Sequence, residues 1–157
     1  MIFGVVKKII SGGQTGADRA ALDVALAESI PCGGWCPKGR KAEDGTIDAK
    51  YPLRETKDKN YETRTRLNVQ EGNATLILFQ KRFDEGTRLT KKLAEESGKP
   101  VLAIDLINNM KDNLKEVVLW LQKQQPEILN IAGPRESNSP GIYKAAYEFL
   151  KELVMVI

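Results

Sequence analysis

The decisive stretch of this sequence is Ile9-Ile10-Ser11-Gly12-Gly13-Gln14-Thr15-Gly16-Ala17-Asp18, in which an apolar strand runs into a glycine-rich turn and the start of a helix. Glycines allow a backbone with positive φ and a close approach to a ligand, and the first amides of a helix have no partner within it. Such loops bind anions, and phosphate is the expected one. A tight connection without a ligand is the alternative. The glycines follow neither the Walker A nor the Gly-x-Gly-x-x-Gly spacing, so no particular nucleotide is indicated.

A second loop of the same kind lies near the end of the sequence. Residues 127–132 have the character of a strand, and Gly133-Pro134-Arg135-Glu136-Ser137-Asn138 follows directly. Ser139 and Pro140 then predict the N-cap and first position of a helix with a 3.6-residue apolar period. Arg135 is placed where a cation and a helix N-terminus would meet one anion; the alternative is a surface arginine. We expect the two loops to lie side by side in space.

Length and composition predict a single domain that spans residues 1–157. The chain is 41% apolar and has a net charge of +3, from 24 basic and 21 acidic residues. This near balance predicts no strong attraction to nucleic acids. The sequence has no long apolar run and no signal segment, so we expect a cytoplasmic protein that does not cross a membrane. A phosphorylated small molecule is the expected partner, with self-association into a homo-oligomer as a further expectation.

The sequence contains no histidine, which excludes Ser-His-Asp chemistry and removes the commonest transition-metal ligand. Its two cysteines, Cys32 and Cys36, flank Gly33-Gly34-Trp35. A Cys-x-x-x-Cys pair supplies only two soft ligands and has neither zinc-site nor thioredoxin spacing. We therefore predict reduced structural thiols and assign no metal site.

Strand-like and helix-like segments alternate along most of the chain. Apolar runs predict strands at residues 6–11, 30–36, 74–79, 101–104 and 128–132. Helical patterns cover residues 17–28, 87–97 and 114–121. This alternation predicts an α/β fold with a mainly parallel sheet covered on both faces. In such folds ligands bind beyond the carboxyl ends of the strands, where both glycine-rich loops are expected.

Residues 37–60 are the exception, because they are polar and show no clear period. A loop of this length is typical of a functional segment, and a solvated insertion is the alternative. It contains Arg40 and the acidic pair Glu43 and Asp44.

The helix predicted after this loop has a polar face. Tyr61, Arg64, Thr65 and Asn68 are spaced so that they share one side of a helix. A solvated face is one interpretation. We favour a face that lines a cleft, because arginine and asparagine are residue types that bind phosphates and bases. A further strand–loop–helix junction contains Gly86-Thr87, whose threonine would cap the helix or contact a phosphate.

These motifs together resemble the molybdenum cofactor carrier family, a circularly permuted, Rossmann-like group within the superfamily of Lonely-Guy and DNA-processing proteins. The resemblance covers nearly the whole chain. It rests on residues 12–18, Arg40 with residues 43–45, residues 61–68, Gly86-Thr87 and residues 133–137. It implies a Rossmann-like three-layer fold in one domain. The ligand it implies is molybdenum cofactor (molybdopterin, a phosphorylated pterin) or a nucleotide.

The sequence departs from this superfamily at one position that matters for catalysis. Lonely-Guy hydrolases, which cleave the glycosidic bond of a nucleotide, carry Pro-Gly-Gly-x-Gly-Thr-x-x-Glu, and Thr90 stands where that glutamate belongs. Glu43, Asp44 or Glu136 would have to replace it, and the adjacent Glu43–Asp44 pair is where a raised pKa is easiest to expect. We therefore expect a binding protein rather than an enzyme.

Three functions remain as hypotheses. The first is a carrier that binds a phosphorylated pterin or nucleotide-like ligand; the second is a Lonely-Guy-type nucleotide hydrolase, with Asp18, Glu43 or Asp44 as its acid. The third, single-strand nucleic-acid binding, needs a basic track with exposed aromatic residues, of which Tyr61 is the one convincing candidate. The predicted ligand-binding residues are Gly12, Gly13, Gln14, Thr15, Gly16, Asp18, Arg40, Glu43, Asp44, Tyr61, Arg64, Asn68, Gly86, Thr87, Gly133, Pro134, Arg135, Glu136 and Ser137.

Overall fold

The computed structural model describes residues 5–156, which form nine strands and five helices. The strands are β1 (Lys8–Ile10), β2 (Cys32–Gly33), β3 (Trp35–Cys36), β4 (Lys41–Ala42), β5 (Gly45–Thr46), β6 (Arg54–Glu55), β7 (Ala74–Phe79), β8 (Val101–Asp105) and β9 (Ile128–Ala132). The helices are α1 (Ala17–Ala27), α2 (Tyr61–Glu71), α3 (Glu85–Glu96), α4 (Met110–Gln124) and α5 (Ile142–Val156).

Five strands form one parallel sheet in the order β2-β1-β9-β7-β8. The last strand of the chain therefore lies in the middle of the sheet, between β1 and β7. Helices α1, α4 and α5 pack over one face, where the largest apolar cluster is buried, and α2 and α3 cover the other. The result is a single-domain, Rossmann-like three-layer fold, as the sequence predicts.

The strand β7 shows why this sheet is covered on both faces. All but the last of its residues, Ala74 to Leu78, are buried, so side chains on both faces of the strand lie in packed layers. Such continuous burial is typical of parallel sheets. Helix α1 is similarly buried along most of its length, and its alanines allow it to pack closely against α5.

The apolar run at residues 30–36 does not form one strand, and this part of the prediction is wrong. Cys32 and Gly33 pair with β1, whereas Trp35 and Cys36 pair with β6 in a separate small sheet. Gly34 lies between them with a φ of 122°, and a Cβ there would overlap the backbone of Ser11. Only glycine tolerates both conditions easily, so the chain turns out of the main sheet at this residue.

The last helix begins later than the sequence predicts. Ser139 and Pro140 lie in a turn, and α5 begins at Ile142. Gly141 has a φ of 91°, which is incompatible with a right-handed helix and separates Pro140 from α5. The carboxylate of Glu136 provides the cap instead, accepting hydrogen bonds from the amides of Gly141 at 2.7 Å and Tyr143 at 2.9 Å.

Residues 37–60 fold around the side chain of Arg40. Its guanidinium donates hydrogen bonds to the carbonyl oxygens of Ile47, Asp48, Tyr51 and Leu53, at 2.7 to 3.3 Å. The β4–β5 hairpin and β6 belong to this segment, and its apolar side chains form a second buried cluster with Leu22 of α1. The segment is thus an ordered insertion with a small core of its own.

One carboxylate joins this insertion to two helices. The hydroxyl groups of Tyr51, in the insertion, and Tyr143, in α5, each donate a hydrogen bond of 2.5 Å to Asp23 of α1. Burial and the neighbouring carboxylate raise the pKa of both tyrosines, which keeps the hydroxyl groups protonated as donors.

Candidate functional site

A cavity of about 420 Å³ lies at the carboxyl edge of the main sheet. The starts of α1, α2 and α3 and the loop after β9 surround it, which is where ligands bind in folds of this type. Seven of the predicted ligand-binding residues line it: Gln14, Asp18, Tyr61, Arg64, Gly86, Gly133 and Arg135. The other twelve are not among its lining residues: Gly12, Gly13, Thr15, Gly16, Arg40, Glu43, Asp44, Asn68, Thr87, Pro134, Glu136 and Ser137.

The two glycine-rich loops lie side by side, as predicted, because β1 and β9 are neighbours in the sheet. The amide of Glu136 donates to the hydroxyl of Thr15 at 3.1 Å, and the amide of Ala17 donates to the carbonyl of Pro134 at 3.3 Å. Gly16 has a φ of 82°, and a Cβ there would overlap the carbonyl of Pro134. The glycine is therefore required for contact between the loops.

Protein groups occupy several amides of the first loop. The amide of Gln14 donates to the carboxylate of Asp18 at 3.3 Å, and that of Thr15 donates to Oε1 of Gln14 at 3.0 Å. The amide of Gly13 reaches the hydroxyl of Ser11 at 3.4 Å. These bonds stabilise the turn without a ligand.

Glu43 closes the junction between the loops from the side. Its carboxylate accepts hydrogen bonds from the hydroxyl groups of Thr15 and Ser137 and from the amide of Ser137. Its own amide donates to Oε1 of Gln14 at 2.9 Å. Although partial burial opposes ionisation, the hydrogen bonds from Ser137 and Thr15 lower the pKa of Glu43.

The neighbouring Asp44 forms a two-pronged ion pair with Arg19, at 3.0 and 3.2 Å. Hydrogen bonding and the charge of Arg19 lower the pKa of Asp44 below its ordinary value. The expectation of a raised pKa in the Glu43–Asp44 pair is therefore wrong. Each carboxylate has its own donors, so the two do not share a proton.

Two further predicted residues have structural partners. Arg40 organises the insertion through the backbone carbonyls described above. Asn68 is 3% exposed and bonds to both the amide and the carbonyl of Trp35, at 2.8 and 3.0 Å, which attaches β3 to α2.

The start of α3 is capped by an acidic residue. Asp84 accepts hydrogen bonds from the amide and hydroxyl of Thr87, at 2.9 and 2.6 Å, and from the side-chain amide of Asn138 at 3.0 Å. Burial opposes ionisation, but these bonds hold the pKa of Asp84 below its ordinary value. Thr90 lines the cavity one turn later and donates back to the carbonyl of Gly86.

Asp18 and Arg64 form the buried charged pair of the cavity. Nη1 of Arg64 lies 3.4 Å from Oδ2 of Asp18, and the two side chains are 12% and 4% exposed. Burial raises the pKa of Asp18 to about 6, an effect that Arg64 and the amide of Gln14 only partly offset. Arg64 fits closely because Gly12 has no side chain: a Cβ there would overlap the guanidinium.

Three cationic groups in the described part of the chain surround the ring of Tyr61. Nζ of Lys41 lies 4.7 Å from the ring centre, and the guanidinium carbons of Arg135 and Arg64 lie at 5.0 and 5.4 Å. Distances below about 6 Å allow an attraction between a cation and the electron-rich ring. The ring of Tyr61 thus gathers positive charge at the border of the cavity, which Arg64 and Arg135 line and Lys41 does not.

The sequence model of the circularly permutated YpsA SLOG family matches residues 9–154. The chain belongs to this family. It is also similar to the crystal structure, at 1.45 Å resolution, of a "putative molybdenum carrier protein" from Syntrophus aciditrophicus SB. The two chains are 43% identical, the similarity covers 96% of each, and the TM-score is 0.93. No curated protein gives a significant match. These comparisons confirm the resemblance and the fold inferred from the sequence.

The site of this SLOG-family protein includes residues that sequence reasoning missed. Nζ of Lys41 lies over the ring of Tyr61, and Asp84 and Asn138 line the cavity. The sequence could have identified Asp84, since an aspartate three residues before a threonine at a predicted helix start is a common helix cap. No sequence pattern identifies Lys41, because its position depends on how the insertion folds.

Within residues 5–156, no helix combines the length and apolar character needed to span a bilayer. The same residues contain no group of three or more His, Cys, Asp or Glu side chains placed to hold a metal ion. Cys32 and Cys36 are free thiols whose pKa values burial raises.

Proposed function

We propose that this protein is a small-molecule carrier that binds a phosphorylated pterin, such as the pterin of molybdenum cofactor, or a nucleotide-like ligand. The observation that carries the proposal is the cavity at the carboxyl edge of the sheet, with Tyr61, Arg64 and Arg135 converging on it. Its volume lies within the range of about 300 to 1,000 Å³ that is usual for small-molecule sites. The name of the similar Syntrophus protein supports the same class of cargo.

The chemistry of the lining suits a ligand with two kinds of polar group. Arginine side chains donate to phosphate or carbonyl oxygens, whereas Asp18, Asp84 and Thr90 offer acceptors for amino or hydroxyl groups. A phosphorylated heterocycle carries both. The proposal also includes a cytoplasmic location and self-association, which size-exclusion chromatography with light scattering would measure.

The direct test is mass spectrometry of small molecules released from the purified protein. A phosphorylated pterin or nucleotide in stoichiometric amount supports the proposal. Protein purified without any such molecule, and with no affinity for a panel of nucleotides and pterin phosphates, would contradict it.

Replacing Arg135 tests the site within this proposal. We expect Arg135→Ala to weaken binding of phosphorylated ligands by about 1.5 to 3 kcal/mol, the usual contribution of a charge-assisted hydrogen bond. Titration calorimetry measures this loss, and thermal unfolding checks that the fold is intact. Lys92→Ala is the matched control, because Lys92 lies on α3 with a 71% exposed side chain. Equal affinity of parent and Arg135→Ala would make Arg135 a surface residue.

A second candidate function, hydrolysis of a nucleotide's glycosidic bond, is favoured by one observation. Asp18 lines the cavity, and its pKa of about 6 suits a group that exchanges protons near neutrality. The missing glutamate counts against it, since Thr90 cannot act as that acid. No observation among the described residues favours single-strand nucleic-acid binding.

We predict no appreciable release of free base from nucleoside monophosphates. The reason is that Asp18 already pairs with Arg64, and the acid expected on α3 is replaced by Thr90. Chromatography of a nucleotide panel incubated with the protein measures the release. Turnover that disappears in Asp18→Asn would make the hydrolase the leading function, and turnover unchanged in that variant would indicate a contaminant.

A further inference from the structure

The cavity offers two ways to bind an anion, through backbone amides or through side-chain cations. The amides of Gly13, Gln14 and Thr15 already have protein acceptors. In the second loop, the amides of Glu136 and Ser137 donate to Thr15 and Glu43. An anion at these loops would have to displace protein oxygen atoms from them.

The N-terminus of α3 is similarly occupied. The carboxylate of Asp84 already accepts from Thr87 and from the amide of Arg135, at 2.9 and 3.4 Å. A second anion at this helix terminus would face a carboxylate held in its ionised form. Repulsion between like charges therefore disfavours phosphate there.

The side-chain cations, unlike the backbone amides, have few acceptors of their own. Within residues 5–156, Lys41 and Arg135 form no ion pair, and Arg64 contacts the single carboxylate of Asp18. All three lie within 5.4 Å of one ring centre, so they repel one another while the ring attracts each of them. An anion among them would relieve this repulsion.

Two buried donors point to the same region. In the described part of the chain, Nε2 of Gln14 and Nε of Arg64 are buried without a hydrogen-bond partner. Gln14 is only 4% exposed, and its Oε1 accepts from the amides of Thr15 and Glu43, which fixes the orientation of its side-chain amide. Both residues line the cavity. Buried donors without partners are unfavourable, and a ligand with several acceptor oxygens would satisfy them.

We propose that a tetrahedral dianion binds among Lys41, Arg64 and Arg135 at Tyr61, with Gln14 as a neutral donor, and that the glycine-rich loops shape the site without binding the anion. This inference rests on the proposed carrier function and assigns its anion-binding groups. The same chemistry fits a phosphate ester or molybdate, since both are tetrahedral oxyanions with two negative charges.

The experiment is titration calorimetry of inorganic phosphate, pyrophosphate, adenosine 5′-monophosphate and molybdate at low ionic strength. We expect Lys41→Ala and Arg135→Ala each to weaken binding about tenfold or more, because each removes a charge-assisted contact. Lys92→Ala should bind like the parent. Tighter binding of the phosphate compounds identifies a phosphate ester as the natural group, and tighter binding of molybdate identifies the oxyanion itself.

Two variants of Tyr61 test its role as a positioning residue. Tyr61→Phe keeps the ring and should bind the dianions like the parent, whereas Tyr61→Leu removes the ring that gathers the cations and should bind them more weakly. Equal losses in the two variants would assign the effect to the hydroxyl group and would overturn this role.

The outcomes separate this inference from the proposed function. No dianion binding to the parent at millimolar concentration, or equal binding to the parent and both cation variants, would overturn the inference. A co-purified phosphorylated ligand that binds equally to those variants would leave the carrier function intact while refuting this assignment. Conversely, binding of inorganic phosphate or molybdate that depends on Lys41 and Arg135, in a protein that carries no organic ligand and binds neither nucleotides nor pterin phosphates, would support the site and contradict the carrier function.

Discussion

Asp18 illustrates how burial can outweigh a nearby opposite charge. The carboxylate contacts Arg64 and accepts from an amide, yet its pKa rises from 3.8 to about 6 because its surroundings exclude water. Arg64 and Arg19 favour the ionised form, and Asp84, across the cavity, opposes it. A group with a raised pKa in the folded protein stabilises the fold while it is protonated and loses that contribution as pH rises.

This shift predicts a pH dependence of stability that is specific to Asp18. Between about pH 4 and pH 6, Asp18 keeps its proton in the folded protein but loses it in the unfolded chain. Relative to Asp18→Asn, which does not titrate, the parent should lose roughly 3 kcal/mol of unfolding free energy across this window and no more above it. Urea unfolding of both proteins at several pH values measures the difference. A difference that does not vary with pH would refute the shifted pKa.

Individual side chains also show how far residue types predict roles. The sequence correctly indicates that Arg64 and Arg135 face one cleft, since helix periodicity and loop position specify both. It gives no indication that Arg40 binds four backbone carbonyls of its own insertion. The residue type is the same, and the difference arises from contacts between segments far apart in sequence, which a local pattern does not contain.

At the scale of elements, the start of α5 depends on which residue caps the helix. Ser139-Pro140 is a favourable start by composition, but the carboxylate of Glu136 accepts hydrogen bonds from the amide of Gly141, just before α5, and from that of Tyr143 in its first turn. A carboxylate at a helix N-terminus also interacts favourably with the helix dipole. The carboxylate reaches the helix because residues 136–141 turn back, which the sequence pattern does not specify.

We predict that Glu136→Ala lowers the unfolding free energy by about 1 kcal/mol, the usual effect of losing a helix cap. Ser139→Ala is the control and should change it by less than about 0.5 kcal/mol. Chemical unfolding of the two variants measures both values. A larger loss in Ser139→Ala than in Glu136→Ala would show that the serine is the cap after all.

The split of residues 30–36 has a similar explanation. Periodicity finds the apolar run but not its division, because the division depends on Ser11 approaching Gly34 from another part of the chain. The sequence therefore predicts the strands of the main sheet well where a strand is long. It predicts strands poorly where two short neighbouring strands belong to different sheets.

For the molecule as a whole, the contact of Tyr51 and Tyr143 with Asp23 joins the insertion, α1 and α5. We predict that Tyr51→Phe lowers the unfolding free energy by about 1.5 kcal/mol, because it removes a hydrogen bond to a charged group. Amide exchange in residues 41–55 should become faster. Tyr147→Phe is the control, since its hydroxyl group has no hydrogen-bond partner within residues 5–156. Unchanged exchange in Tyr51→Phe would show that the small apolar core alone holds the insertion.

The sequence was sufficient to predict the fold class and the adjacency of the two glycine-rich loops, because both follow from alternating strands and helices. The order of strands was not, since placing β9 between β1 and β7 requires pairings across more than a hundred residues in one case and about fifty in the other. Local sequence carries no record of such pairings.

The central position of β9 has a consequence for how the sheet is assembled. Apart from residues 128–132, β1 pairs only with β2 and β7 only with β8, so β9 alone joins these two pairs within the main sheet of the described residues. Both pairs have an edge that only this strand covers, so we expect the central sheet to form as a unit only once β9 has docked between them. The cavity is lined both by residues that follow β1 and by residues that follow β9, so it is completed in that same step.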